Sequence, residues 1–144
     1  VPTPLGPSGI KVGIDRGIEF PRAEVAMEIR TRRVYETPAP GDGRRILIDR
    51  LWPRGLAKQK ARIDFWAREV APSTALRRWY QHDPEKWDEF RRRYFAELDA
   101  TPDAVAALRA AFGTGAVTFV FGSREERLNN ATALREYLED HPPS

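Results

Sequence analysis

Two short apolar runs limit what this chain can fold into. Ile46-Leu47-Ile48 and Val117-Thr118-Phe119-Val120-Phe121 are rich in β-branched and aromatic residues and lack the polar alternation of a strand with one wet face. Strands of this kind belong inside a parallel sheet covered on both faces, and parallel strands need long crossover connections, usually helical. The expected fold is α/β: a single three-layer domain with a short, mainly parallel sheet flanked by helices, in a Rossmann-like or flavodoxin-like topology. At 144 residues, 41% of them hydrophobic, the chain can bury one core of its own. The domain is expected over residues 27–140, with Val1–Ala26 a loose Pro- and Gly-punctuated extension and 141–144 a frayed tail. Met27 is the one methionine, and regular patterning starts just after it, so the natural start is expected there, with a leader segment upstream.

The remaining elements follow from local signals. A first strand is expected within Glu28–Tyr35 and a rigid loop over Thr37–Gly43. One helical turn fits Leu56–Arg62, and a short strand fits Ile63–Val70. Ser73 is placed to cap a helix over Ala75–Gln81, and Asp83-Pro84 opens another that runs to about Ala100. That helix carries an apolar stripe of Trp87, Phe90, Tyr94, Phe95 and Leu98. Thr101-Pro102-Asp103 starts a further helix that Gly113 ends, and Ser123-Arg124-Glu125-Glu126 reads as a capping box for a closing helix over Arg124–Asp140.

Function is expected where the two apolar runs stop, because ligands of parallel sheets collect at the carboxyl ends of the strands. The first run leads into Asp49-Arg50-Leu51-Trp52-Pro53-Arg54-Gly55, and the second into Gly122-Ser123 at the expected positive end of a helix, which favours an anion. A structural reading stays open beside this one: Asp49 pairing with Arg50, and Trp52 acting as a plug among neighbouring side chains. Arg91 falls inside the apolar stripe of its helix, so its guanidinium is expected to point inward, with Asp49 and Asp83 as internal partners. Arg92 and Arg93 have acids one turn earlier and read as surface pairs.

Composition removes whole classes of chemistry. Without cysteine there is no disulfide, no thiolate catalysis and no cysteine-bound zinc. The two histidines are His82 and His141, and His141 lies in the tail, so His82 is the imidazole available to a site and no histidine cluster can hold a metal. No Walker loop and no G-x-G-x-x-G is present, and the sequence calls for no cofactor and no metal. A net charge of +3 is too mild to argue nucleic acid by itself, although arginine, which supplies all but four of the 24 basic residues, suits phosphate and carboxylate partners. No apolar run approaches a membrane span and the N-terminus lacks a secretory signal core, so a cytoplasmic protein with no membrane partner is expected.

Five motifs carry a family resemblance: Arg33-Val34-Tyr35, Asp49 through Gly55, Ala71-Pro72-Ser73, His82-Asp83-Pro84 through Trp87, and Asn129-Asn130-Ala131. From Met27 to Leu138 the chain closely resembles the YeaO-like bacterial proteins, a branch of domain-of-unknown-function family 488. The resemblance implies a compact α/β domain with a mainly parallel sheet and brings no reaction with it. Related branches carry cysteines where this chain has Phe121-Gly122-Ser123 and Leu128-Asn129-Asn130, so their thiol chemistry does not transfer. Close relatives place a histidine where Leu128 stands, which removes a proton carrier from that corner.

Two functional readings follow. In one, the domain is an enzyme acting on a small phosphorylated or carboxylated compound, with Arg50, Arg54, Arg91, Ser73 and Ser123 holding the anion and His82 or Asp49 moving a proton. In the other it is a non-catalytic module for a nucleotide or nucleic-acid phosphate, using the same arginines with Trp52 and Trp87 as stacking surface or pocket wall. A structural or adaptor domain is a third reading without a specific feature behind it. Removing Val1–Ala26 is expected to leave a cooperatively folding domain, since that segment lacks core periodicity; loss of a cooperative melt on deletion would refute this.

Overall fold

The computed structural model describes residues 28–142; the expected extension, Val1–Ala26, lies outside the described residues. Strands β1 (Ile29–Arg33), β2 (Arg44–Leu47), β3 (Phe65–Trp66) and β4 (Val117–Phe121) form one sheet. Its order is β1-β4-β2-β3 and every neighbouring pair is parallel. The two apolar runs become the central strands, and all five residues of β4 are buried. Helices α1 (Lys58–Ala61), α2 (Thr74–Tyr80), α3 (Trp87–Asp99), α4 (Pro102–Ala110) and α5 (Asn130–Asp140) complete an α/β domain.

The two faces of the sheet are covered differently. Ile46, Ile48, Phe119 and Phe121 point to the face on which residues of α2 to α5, among them Leu76, Phe90, Leu108 and Leu134, build the main core. Leu47, Val120 and Val34 point the other way and are covered by Trp52, Leu56 and Ile63 of the connection between β2 and β3, together with Trp66 of β3 itself. That connection contains no helix longer than the four residues of α1. The loops leaving β2 and β4 therefore depart to opposite faces, which opens a crevice between the two central strand ends.

Polar residues on the thinner face are held by the loop that reads in sequence as a rigid connection ending in a turn. Asp42 is 3% exposed and its carboxylate meets Arg45 Nη1 at 2.6 Å and Arg32 Nη1 at 2.8 Å. Arg45, equally buried, also donates from Nε to the carbonyl of Ala61 at 3.0 Å, and Thr118 donates its hydroxyl to the Asp42 carbonyl at 2.7 Å. Gly43 follows with φ 63°, and a Cβ there would lie 2.1 Å from the Ala116 carbonyl oxygen, so the turn into β2 admits only glycine.

Several sequence boundaries move. The stretch Ile63–Val70 divides into the two-residue β3 and a 3-10 turn over Arg68–Val70. Ser73 and Asp83 cap as expected, accepting from the amides of Leu76 and Glu85. Thr101 does not cap α4; its hydroxyl donates back to the carbonyls of Glu97 and Leu98. The closing helix begins at Asn130, not Arg124, because Asn129 is the residue whose side chain accepts from a helical amide, that of Thr132.

Burial alone would raise the pKa of Asp42, but the Ala39 amide and the Arg32 and Arg45 guanidinia outweigh it and hold the carboxyl below its ordinary value of 3.8. A carboxyl lowered in the folded state stabilises above the unfolded value and loses that contribution as pH falls through the folded one. Asp42→Asn strands the buried Arg45 and is expected to cost about 3–5 kcal/mol at neutral pH. Urea denaturation should show the deficit shrinking as pH drops below 3.8.

Candidate functional site

A cavity of about 370 Å³ opens at the crevice between the ends of β2 and β4. Its wall includes Asp49, Arg50, Trp52 and Arg54 from the loop after β2, Arg77, Tyr80, Gln81 and His82 from α2 and its exit, and Ser123 and Asn130 from beyond β4. With Phe90 of α3, four separate segments are thus brought to one place at the ends of parallel strands.

Asp49 is the junction of the wall. Its Oδ2 accepts the Gly122 amide at 2.7 Å, its Oδ1 accepts Asn130 Nδ2 at 3.3 Å, and its main-chain oxygen accepts the Trp66 indole N–H at 2.7 Å. One residue at the end of β2 therefore ties β3, the exit of β4 and the first turn of α5. A Cβ on Gly122 would sit 3.2 Å from Asp49 Oδ2, so the backbone approaches this closely because the side chain is absent. On the other side Arg33 Nε donates to the Ser123 carbonyl at 2.8 Å and Nη2 to that of Gly122 at 3.3 Å. Burial raises the pKa of Asp49; the Gly122 amide, the Asn130 amide and the charges of Arg77 and His82 pull the other way without overcoming it.

The arginines of the wall fall into two kinds. Arg50 is committed, donating Nη2 to the Ala71 carbonyl at 3.0 Å and Nε to that of Pro72 at 3.4 Å. Asp49 and Arg50 do not pair with one another, so the structural pairing considered from the sequence is replaced by two independent tethers. Arg54 and Arg77 are exposed, and their guanidinium groups have no hydrogen bond or ion pair among the described residues. Trp52 lines the cavity; its indole donates to the Leu56 carbonyl at 2.8 Å and its ring meets Trp66 edge-on at 5.5 Å.

His82 follows Gln81 through two consecutive left-handed backbone positions, φ 48° and 57°. This turn after α2 brings His82 Nε2 to 3.4 Å from Ser123 Oγ, while Ser123 Oγ accepts the Glu125 amide at 2.9 Å. Ser123 consequently sits in a tight turn seven residues before α5 and not at a helix end. The positive helix end expected at Ser123 is replaced by Asn130, whose side chain is turned to Asp49.

A family model described as the inactive DUF488-N3 subclade matches residues 28–142. The chain belongs to this family. An uncharacterised protein of Mycobacterium tuberculosis H37Rv is 44% identical over 110 residues, covering 76% of this chain and 92% of the relative. An uncharacterised Mycobacterium bovis protein matches equally well. The uncharacterised protein YeaO of Escherichia coli K12 is 34% identical over 112 residues, 78% of this chain and 97% of YeaO, which bears out the YeaO-like resemblance. No solved structure matches the chain at a significant level.

In this DUF488-N3 domain three residues singled out from sequence lie outside the cavity wall. Arg91 pairs with Asp88 Oδ1 at 3.0 Å and Glu136 Oε1 at 2.9 Å, and not with Asp49 or Asp83. It does lie over the Trp87 ring, 5.7 Å from its centroid, but that part of the stripe faces α5, which supplies Glu136. Trp87 stacks on Phe90 at 5.7 Å and belongs to the main core. Ser73 is saturated by its capping bond to Leu76 and by Glu97, which accepts its hydroxyl at 2.6 Å and its amide at 2.9 Å. Among the wall residues that sequence did not single out, which include Tyr80, Gln81 and Asn130, the charged one is Arg77. Its helical neighbours three and four positions away are Ser73, Thr74, Tyr80 and Gln81, with no acid to pair with, a signal it shares with Arg78.

Among the described residues no group of three or more His, Cys, Asp or Glu is disposed to hold a metal ion, and no helix is long and apolar enough to cross a membrane. Asp49→Ala orphans the Gly122 amide and is expected to cost about 1–3 kcal/mol at neutral pH. Because the folded state holds the Asp49 proton more tightly than the unfolded chain, the parent's advantage declines as pH rises above 3.8. Denaturation at several pH values should therefore show the largest Asp49→Ala deficit in acid, opposite in trend to Asp42→Asn.

Proposed function

We propose that the cavity binds a small phosphorylated or carboxylated molecule and holds it without turning it over. The observation that carries this reading is the division of the wall. Asp49, Arg50 and Asn130 are committed to internal hydrogen bonds, whereas the Arg54 and Arg77 guanidinia, brought to the cavity from different segments, have no partner among the described residues. Two unpaired forks converging on one space suit an anion with two or more oxygens. Trp52 offers aromatic surface in the same wall, which suits a flat or apolar portion of the ligand. A nucleotide combines both features.

The reading without turnover draws on the family description, inactive, and on the site. His82 faces Ser123, but no carboxylate accepts from its other ring nitrogen among the described residues, so the imidazole lacks the orienting partner of a nucleophile–base–acid set. The runner-up, an enzyme using His82 and Asp49 for proton transfer, is favoured by the 3.4 Å approach of His82 to Ser123 and by the raised pKa of Asp49. Calorimetric titration with inorganic phosphate, citrate and adenosine monophosphate separates the two. At least one probe is expected to bind, with Arg77→Ala weakening it about tenfold, in keeping with the loss of a charged hydrogen bond. His82→Gln should leave affinity nearly unchanged. Turnover of any phosphorylated or carboxylated compound by the parent, abolished in His82→Gln, would favour the enzyme instead.

A further inference from the structure

The connection between β2 and β3 concentrates the positive charge of the whole chain. Residues 50–63 contain Arg50, Arg54, Lys58, Lys60 and Arg62 and no acid, so the remainder of the +3 chain is net negative by two. Folding sorts this segment into two sides. Leu56 and Ile63 pack against Leu47 and Val120, and Ala61 is fully buried, whereas Arg54, Lys58, Lys60 and Arg62 are exposed. The ion pairs among the described residues lie elsewhere, on Arg30, Arg32, Arg45, Arg91, Arg92 and Arg93. The four outward cations are thus free of acidic partners within the described residues.

The segment also has direction and length. It leaves the sheet at the cavity, where Arg54 stands, and has returned to the opposite end by Asp64, whose amide donates to the Arg45 carbonyl at 2.8 Å. From position 49 back to position 45 a strand covers about 13 Å. Four exposed cations on one short connection allow up to about four phosphates to be neutralised. At its upper end the aromatic ring of Trp52 lines the cavity, and two large apolar side chains are exposed nearby: Leu51 at 67% and Tyr35 at 45%. Tyr35 is held there by its hydroxyl, which donates to the Arg54 carbonyl at 3.0 Å.

We infer that the outer surface of residues 54–62 is a docking strip for single-stranded nucleic acid. Its cations follow the phosphates, and the aromatic and apolar groups at the cavity mouth meet the bases, the combination that non-sequence-specific strand binders use. An acidic peptide would need the charges but not the stacking surfaces. Arg54 is shared with the proposed small-anion site, whereas Lys58, Lys60 and Arg62 lie outside that cavity wall, so changes at Lys58 and Lys60 test the strip separately.

Fluorescence anisotropy of the full chain with a labelled oligothymidylate of about 12 nucleotides tests the inference. With four phosphates neutralised, affinity should fall about 50-fold between roughly 50 and 200 mM salt. Lys58→Glu/Lys60→Glu, its fold checked by circular dichroism and melting, is expected to weaken binding at least tenfold and to reduce the salt effect to about sevenfold, two contacts having been lost. Arg92→Ala, which removes a cation from α3 outside both the cavity wall and the strip, should leave oligonucleotide affinity within about twofold, and a loss as large as that of the double reversal would overturn the strip. Absence of binding at low salt overturns the inference, as does binding that survives the double charge reversal. Vesicles of mixed phosphatidylserine and phosphatidylcholine that bind when the oligonucleotide does not would also overturn it, the strip then being a membrane contact.

Discussion

The Asp49 carboxylate is the constraint on which this site depends. A parallel sheet holds its strands side by side but says nothing about the loops that leave them, and those loops carry the backbone polar groups that most need partners. Asp49 answers this at the end of β2 by accepting the amide of Gly122 at the end of β4 and the side-chain amide of Asn130 in α5. Its own carbonyl takes the Trp66 indole. The loops on either side of the crevice are thereby fixed to one another, and the cavity they enclose has a defined wall. The cost is a carboxyl moved away from water, visible in its raised pKa.

A second carboxylate, Asp42, does the corresponding work at the other end of β2 with the opposite electrostatic outcome. It meets two guanidinium groups, so its pKa is lowered despite burial. The contrast explains how the ends of one short strand come to be so different. The Asp42 end is internally neutralised and closed, while at the Asp49 end the carboxylate is satisfied by amides, Arg50 is tied to carbonyls, and Arg54 and Arg77 are left without partners among the described residues. Uncommitted cations at the open end are what make that end a candidate for binding.

Much of the architecture was legible because it rests on local signals. The uninterrupted runs at Ile46–Ile48 and Val117–Phe121 could be satisfied only by central strands, and Ser73 and Asp83 cap because their side chains reach amides two or three residues on. Legibility failed where two local solutions compete. Ser123 has the spacing of a capping box, yet its hydroxyl closes a turn with Glu125, Glu125 accepts the amides of Arg127 and Leu128, and Asn129 takes the helix start. Arg91 failed for another reason. The helical period correctly laid it over Trp87 but could not say that the facing element would be α5 with Glu136.

By itself, then, the sequence determined that the chain makes a parallel α/β sheet, that its central strand ends carry Asp49, Arg50, Trp52, Arg54 and Ser123, and that thiol and histidine-cluster chemistry are absent. These depend on residue type and short-range periodicity, which a linear chain displays in full. Only the tertiary structure decided which arginines are committed and which are free. Arg50 found carbonyls on Ala71 and Pro72, Arg91 found Glu136, and Arg77 arrived at the cavity from a helix that nothing in its own sequence ties to Asp49. The physical reason is that a guanidinium reaches several ångströms beyond its backbone and bonds whatever oxygen folding brings within range. Its partner is therefore a property of how distant segments pack.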